Sequence, residues 1–340
     1  MPPEIRRIGK PAEAAPQAAF RRIAACLDGS PFAERVVAHA LAVARALGAP
    51  VTLLRVIEGG SAGEPPADPL AWDLRRKEAS EYLARLAEGC GDERAPLDAE
   101  VIEGNVAEQI CLWAKHHDAD LTVLASHGLG GPAEWQLASN ARKLAEHVPG
   151  SLLLVPAGAV PPPGSGARYG RVLVPLDGSL RAESVLPLAT RLVAASEGEL
   201  VLVHAVPVPE LTEVGPLDAE DMELRDRLVR RNERVANEYL DRLRAQLAES
   251  VPSVRAIVLR GGDARGRLTR LIADLGVDLV VVAAHGRTGR TQLPCGSVTA
   301  HLMAYSAAPI LIVRPRVARP LRRVKTEGTD SLRLPGLATP

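Results

Sequence analysis

The chain has 340 residues, 41 Lys+Arg against 41 Asp+Glu, 46% hydrophobic residues and 3% aromatic ones. Balanced charge offers no basic footprint for nucleic acid, and scarce aromatics argue against a stacking platform for single strands. The length suggests about two domains, and no apolar run reaches the roughly 18 residues of a membrane span.

The first nineteen residues, MPPEIRRIGKPAEAAPQAA, read as a flexible lead without a signal-peptide core. From Phe20 onward the chain is a duplication. AACLDGS at 24–30 returns as VLVPLDGS at 172–179, and SEYLARLAE at 80–88 returns as NEYLDRLRAQ at 237–246. ADLTVLASHG at 119–128 returns as VDLVVVAAHG at 277–286, and SLLLVP at 151–156 as PILIVRP at 309–315. Asp28 and Asp177 lie 149 positions apart, but His127 and His285 lie 158 apart. The second copy therefore carries nine extra residues, expected around 207–222. The units are 20–157 and 169–315, joined by a Pro/Gly/Ser-rich linker at 158–168 and followed by a basic, disordered tail at 316–340.

The second copy shows the grammar most clearly. RVLVPLD is a strand, and SLRAESVLPLATRLVAASEG is a helix capped by Ser179. Pro187 should kink that helix or end it early. ELVLVHAVPV is a strand, and 219–249 is a long helix with Leu224, Leu228, Val235, Tyr239, Leu243 and Leu247 at multiples of three or four. VRAIVLRGG is a strand, 264–275 a helix, DLVVVAAHG a strand, 297–306 a helix and PILIVRP the last strand. Strands alternating with helices predict an α/β fold, two tandem open-sheet domains each with a mainly parallel sheet. Near-continuous apolar strands predict helices on both faces.

Two loops follow strands and carry polar punctuation: Asp177-Gly178-Ser179, and the stretch from His285-Gly286 to Gly296-Ser297. In open parallel sheets, ligands bind beyond the carboxyl ends of the strands. A glycine turn lets backbone N–H groups approach an anion, and Gly-Ser opening a helix adds unpaired donors and the favourable end of the dipole. Asp177 can accept from ribose hydroxyls or from an amine edge. The reading is a nucleotide cradle, with sugar near Asp177 and phosphates between Gly286 and Gly296-Ser297. Set against it, a glycine after a strand is commonly a plain turn, and Asp-Gly-Ser a turn with a helix cap.

These motifs together resemble the universal stress protein family in its tandem form. Pro175-Leu176-Asp177-Gly178-Ser179 is similar to the opening of a domain of that family. Ala283-Ala284-His285-Gly286, nine residues and Gly296-Ser297 is similar to its nucleotide motif, with Ala283 in place of the first glycine. The resemblance implies a five-stranded parallel sheet in each half, order 3-2-1-4-5, with ATP or AMP, with or without Mg, across strands 1 and 4. It implies that Asp177 holds the ribose or adenine edge, with Pro175, Ala205 and Val282 near the base. Gly286, Gly296, Ser297 and Val298 would line the phosphates, with Ala283 and His285 in the same motif. The first copy departs further. Asp28, His127, Gly128 and Ser139 remain as a weaker second site, but Ala125 and Ala138 replace glycines, the strand ends Cys26-Leu27-Asp28, and Pro132 and Trp135 enter the loop.

Other candidates read more plainly. His127 and His285 lack a sequence-visible catalytic partner, His116-His117 sits at a helix end favoured by the dipole, and Arg287 and Arg290 are either phosphate contacts or surface residues. No Walker, dinucleotide or paired-His metal motif occurs, and Cys26, Cys90, Cys111 and Cys295 lack metal-ligand spacing. The expected function is a non-catalytic, adenine-nucleotide-binding stress regulator in the cytoplasm, without intrinsic metal. A non-binding scaffold of the same fold and a weak ATPase remain alternatives. The apolar terminal strands should pair the halves as an internal pseudo-dimer, with homodimerisation a further possibility and neither nucleic acid nor membrane as partner.

Overall fold

A computed structural model describes residues 20–59, 68–90, 95–126, 139–159, 167–209, 218–261, 263–287 and 295–314. The lead, most of the linker, the tail and the stretch 210–217 lie outside the described residues.

The first half runs β1 (Ile23–Leu27), α1 (Pro31–Leu47), β2 (Val51–Ile57), α2 (Pro69–Cys90), β3 (Leu97–Glu103), α3 (Val106–His116), β4 (Leu121–Ala125), α4 (Ser139–His147) and β5 (Ser151–Val155). The second runs β6 (Arg171–Leu176), α5 (Leu180–Glu183), α6 (Leu186–Ala194), β7 (Glu199–Val206), α7 (Ala219–Leu247), β8 (Ser253–Arg260), α8 (Ala264–Asp274), β9 (Leu279–Ala283), α9 (Ser297–Tyr305) and β10 (Ile310–Val313). Each half has the order 3-2-1-4-5, all parallel. The two sheets do not end separately. β10 pairs antiparallel with β5, Ile310 opposite Leu154 and Ile312 opposite Leu152, so that ten strands form one sheet. The β5 and β10 edges that the separate halves would expose thereby satisfy each other, and β3 and β8 remain the edges of the joint sheet.

The apolar strands point side chains both ways, as a sheet covered on two faces requires. One face packs under α1, α2, α6 and α7, with Leu53, Leu83, Leu192 and Leu240 fully buried. The other packs under α3, α4, α8 and α9 around Trp113, Leu144, Ile272 and Leu302. His117 caps α3 with its ring stacked on Trp113 at 4.3 Å.

Pro187 breaks the first helix of the second half into α5 and α6, whereas α1 is continuous over 17 residues. Proline has no N–H to give the carbonyl one turn back, and its ring crowds that carbonyl. The long helix differs from its sequence pattern. α7 has 29 residues to the 22 of α2, so the extra length of the second copy enters largely as two added turns of helix. Those turns start at an Asp218/Asp221 capping box. Leu243 is buried as expected, but Leu224 and Val235 are exposed, and the buried stripe instead runs through Ala236 and Leu240.

The halves also meet through side chains. His39 Nδ1 of α1 lies 3.2 Å from the Tyr169 hydroxyl at the start of the second half, both residues buried. Arg314, just past β10, donates from its guanidinium to Val148 O (2.8 Å) and Ala145 O, satisfying carbonyls at the end of α4 in the first half. No helix among the described residues is long and apolar enough to cross a membrane.

Candidate functional site

At the carboxyl ends of β6 and β9, where the winding reverses, a cavity of about 480 Å³ opens on the α8/α9 face. The two loops singled out from the sequence meet there. After β6 the chain turns through Gly178 at φ +78°, as the first half does through Gly29 at φ +88°. A left-handed turn of this kind favours glycine. Ser179 then caps α5, accepting from Ala182 N at 3.2 Å.

Asp177 is tied to both loops. Its Oδ1 accepts the Ser179 hydroxyl at 2.6 Å and the Ser179 N–H at 3.0 Å, and its Oδ2 accepts the N–H of Arg287, 110 residues further on. Burial raises the Asp177 carboxyl, but these donors and the Arg287 charge outweigh it and hold the group below its ordinary value.

From β9 the chain passes Ala283, Ala284 and His285 to Gly286. Gly296 then returns to the strand end, donating to Ala284 O at 2.7 Å. Thr299 Oγ1 donates to Ala283 O at 3.0 Å, fixing the first turn of α9 over the end of β9. Gly296 is the N-cap of α9 and gives no side-chain cap, so the dipole end carried by Ser297 and Val298 faces the cavity without a capping side chain. The described non-glycine residues with positive φ are Asp118 and Glu197, so Ala283 has an ordinary backbone that accepts a methyl group.

The opposite end of the cavity is apolar. Pro175 of β6, Ala205 of β7 and Val282 of β9 line it. All ten second-half positions named from the sequence, Pro175, Asp177, Ala205, Val282, Ala283, His285, Gly286, Gly296, Ser297 and Val298, therefore border one space. Sequence reasoning missed Ala264 and Leu268 of α8, which close the apolar end at i and i+4, and Val203, Cys295 and Thr299. The i, i+4 spacing is legible, but nothing in it shows which cavity a helix face borders. Arg290 lies outside the described residues.

In the first half, Asp28 takes the same turn position, with Ser30 N donating to Oδ1 at 2.8 Å. His127, Gly128, Pro132, Trp135 and Ala138 lie outside the described residues, and Ser139 begins α4. No three His, Cys, Asp or Glu side chains gather as a metal site among the described residues.

The model of the universal stress protein family matches residues 19–156 and 168–314. A universal stress protein of Mycolicibacterium smegmatis is 26% identical over 300 residues, covering 85% of this chain and 96% of its own length. A universal stress protein of Thermus aquaticus is 33% identical over 139 residues, 40% of this chain and 98% of that protein. Among solved structures, a universal stress protein from Archaeoglobus fulgidus superposes with a TM-score of 0.60 at 16% identity, covering 86% of this chain and 98% of that one.

Proposed function

The chain belongs to the universal stress protein family, and from that premise we propose that its second half binds an adenine nucleotide, ATP or AMP, and acts by occupancy rather than by catalysis. The observation that carries this reading is the convergence of the Asp177 turn, the Gly286 turn and the N-terminus of α9 on one cavity with an apolar far end. A base fits the Pro175, Ala205, Val282 and Leu268 end, sugar hydroxyls donate to Asp177, and phosphate oxygens take the amides at Ser297 and Val298. Asp177 accepts several hydrogen bonds and is held ionised with lowered basicity, which suits a sugar acceptor better than a general base.

The second half is favoured over the first by side-chain volume. Equivalent register places Leu54, Val56, Leu124 and Val106 where the second half has Val203, Ala205, Val282 and Ala264. Cys26 and Ala141, in place of Pro175 and Thr299, go the other way. The net effect is a narrower base end, and the first half then serves as the fixed neighbour of the binding half.

Calorimetric titration of the full chain with AMP and ATP, each with and without Mg²⁺, tests this. Heat with a stoichiometry near one per chain is expected, abolished or reduced at least about tenfold in affinity by Val282→Trp, which fills the base end. A stoichiometry near two removes the preference for the second half. No heat at protein concentrations above roughly 100 μM removes micromolar binding altogether.

A further inference from the structure

The two glycines of the nucleotide motif are glycine for different reasons. An ideal Cβ on Gly286 would overlap Asp177 Oδ2 and stand 3.2 Å from Asp177 Cγ. Gly286 does not have a left-handed φ, so its backbone angles do not call for glycine. What calls for it is the Asp177 carboxylate lying against its Cα while accepting the next amide, that of Arg287. Gly296 is the opposite case. A Cβ there meets nothing closer than Ala284 O at 3.7 Å, an ordinary contact, with Gly286 N at 3.8 Å. Among the described residues nothing excludes a methyl group at Gly296, as the approach of a ligand would.

The amide that Asp177 holds follows directly on Gly286, which borders the same cavity as the N-terminus of α9. A carboxylate on a backbone N–H makes the same charge-assisted hydrogen bond as a phosphate oxygen. We propose that Asp177 is a clasp: its carboxylate holds the Gly286–Arg287 backbone against the β6 turn, and a phosphate-bearing ligand takes the Arg287 amide from it. Released from that amide, the carboxylate is free to accept the sugar hydroxyls of the same ligand, so phosphate and sugar recognition are coupled through one side chain. This rests on the nucleotide reading for its ligand, but the clasp itself is a property of the protein alone. Asp177 is thus a positioning residue for the Gly286–Arg287 backbone as well as a contact for the sugar. Gly286 serves Asp177 before it serves any ligand.

The test has two arms on the full chain. In the first, urea unfolding midpoints are measured for the natural protein, Gly286→Ala, Asp177→Ala, the double variant and Gly296→Ala. Gly286→Ala should lower the midpoint clearly, and most of that loss should vanish in the Asp177→Ala background, where the overlapping atoms are gone. Gly296→Ala should leave the midpoint in place. An equal loss from Gly286→Ala in both backgrounds overturns the clasp, whether or not nucleotide binds. In the second arm, inorganic pyrophosphate and adenosine are titrated separately into the natural protein and Asp177→Ala. Pyrophosphate should bind about fivefold or more tighter to the variant, and adenosine more weakly, because one competitor for the amide and one acceptor for the sugar are lost together. Unchanged or weaker pyrophosphate binding in the variant overturns the competition. If the natural protein binds neither AMP nor pyrophosphate while the unfolding result holds, the nucleotide reading falls and the clasp stands.

Discussion

Two side chains stand in left-handed backbone where the sister half has glycine. Glu197, at φ +51°, follows α6 as Gly48, at φ +69°, follows α1. Asp118, at φ +50°, follows α3 as Gly276, at φ +56°, follows α8. A Cβ in this conformation costs roughly 1–2 kcal/mol, while a new glycine loosens the unfolded chain by roughly 0.5–1 kcal/mol. The strain is the larger effect, so Glu197→Gly should stabilise the protein by about 0.5–1 kcal/mol. Asp118→Gly should give less, because aspartate tolerates this region better. Chemical denaturation of the two variants checks both, and a destabilised Glu197→Gly would contradict the argument. At this scale the sequence was only partly legible. The Asp-Gly-Ser turns and the Ser179 cap could be read from local residue chemistry, whereas Pro175, Ala205 and Val282 came from the family resemblance. The contact of Asp177 with the Arg287 amide could not. A bond between a side chain and a backbone group 110 positions away leaves no periodic or compositional trace.

Elements follow their sequence patterns wherever one strong local rule governs them. Strand and helix alternated as the apolar runs predicted, and Pro187 divided a helix that its counterpart keeps whole. The long helix shows where periodicity stops informing. A stripe spaced at threes and fours defines a face, but only the extent of the sheet decides how much of that face is covered. The added turns of α7 extend the stripe further than burial follows it, so Leu224 is 45% exposed while Leu240 is 1% exposed. Leu240→Ala should therefore cost about 2–5 kcal/mol, and Leu224→Gln should stay within about 0.5 kcal/mol. Comparable losses at the two positions in urea denaturation would place the added turns in the core after all.

At the scale of the whole molecule, the junction between the halves contains a group that titrates. His39 is 5% exposed, stacks on Tyr169 at 5.9 Å, and has a buried Nε2 without a hydrogen-bond partner among the described residues. Burial lowers its pKa from 6.5 to about 4. The folded protein then binds fewer protons at His39 than the unfolded chain between those values. The stability linked to this group is present above pH 6.5 and falls away as pH drops towards 4. The full effect is on the order of 3 kcal/mol. His39→Gln should flatten the fall in unfolding free energy across that window, and an unchanged slope would assign the acid sensitivity elsewhere. Pairing of the terminal strands was foreseeable from SLLLVP and PILIVRP. The His39–Tyr169 contact across the junction was not, because one buried histidine in an apolar helix face carries no mark of its partner.

The antiparallel seam of β5 and β10 sits inside a single chain. In an assembly of two identical subunits, every substitution is made on both sides of the axis at once, and a gain on one side is tied to a loss on the other. Covalent fusion removes that constraint. One half can trade pocket space for bulk and keep its turn glycines or lose them without any change in its neighbour, and the seam between them stays closed at any dilution.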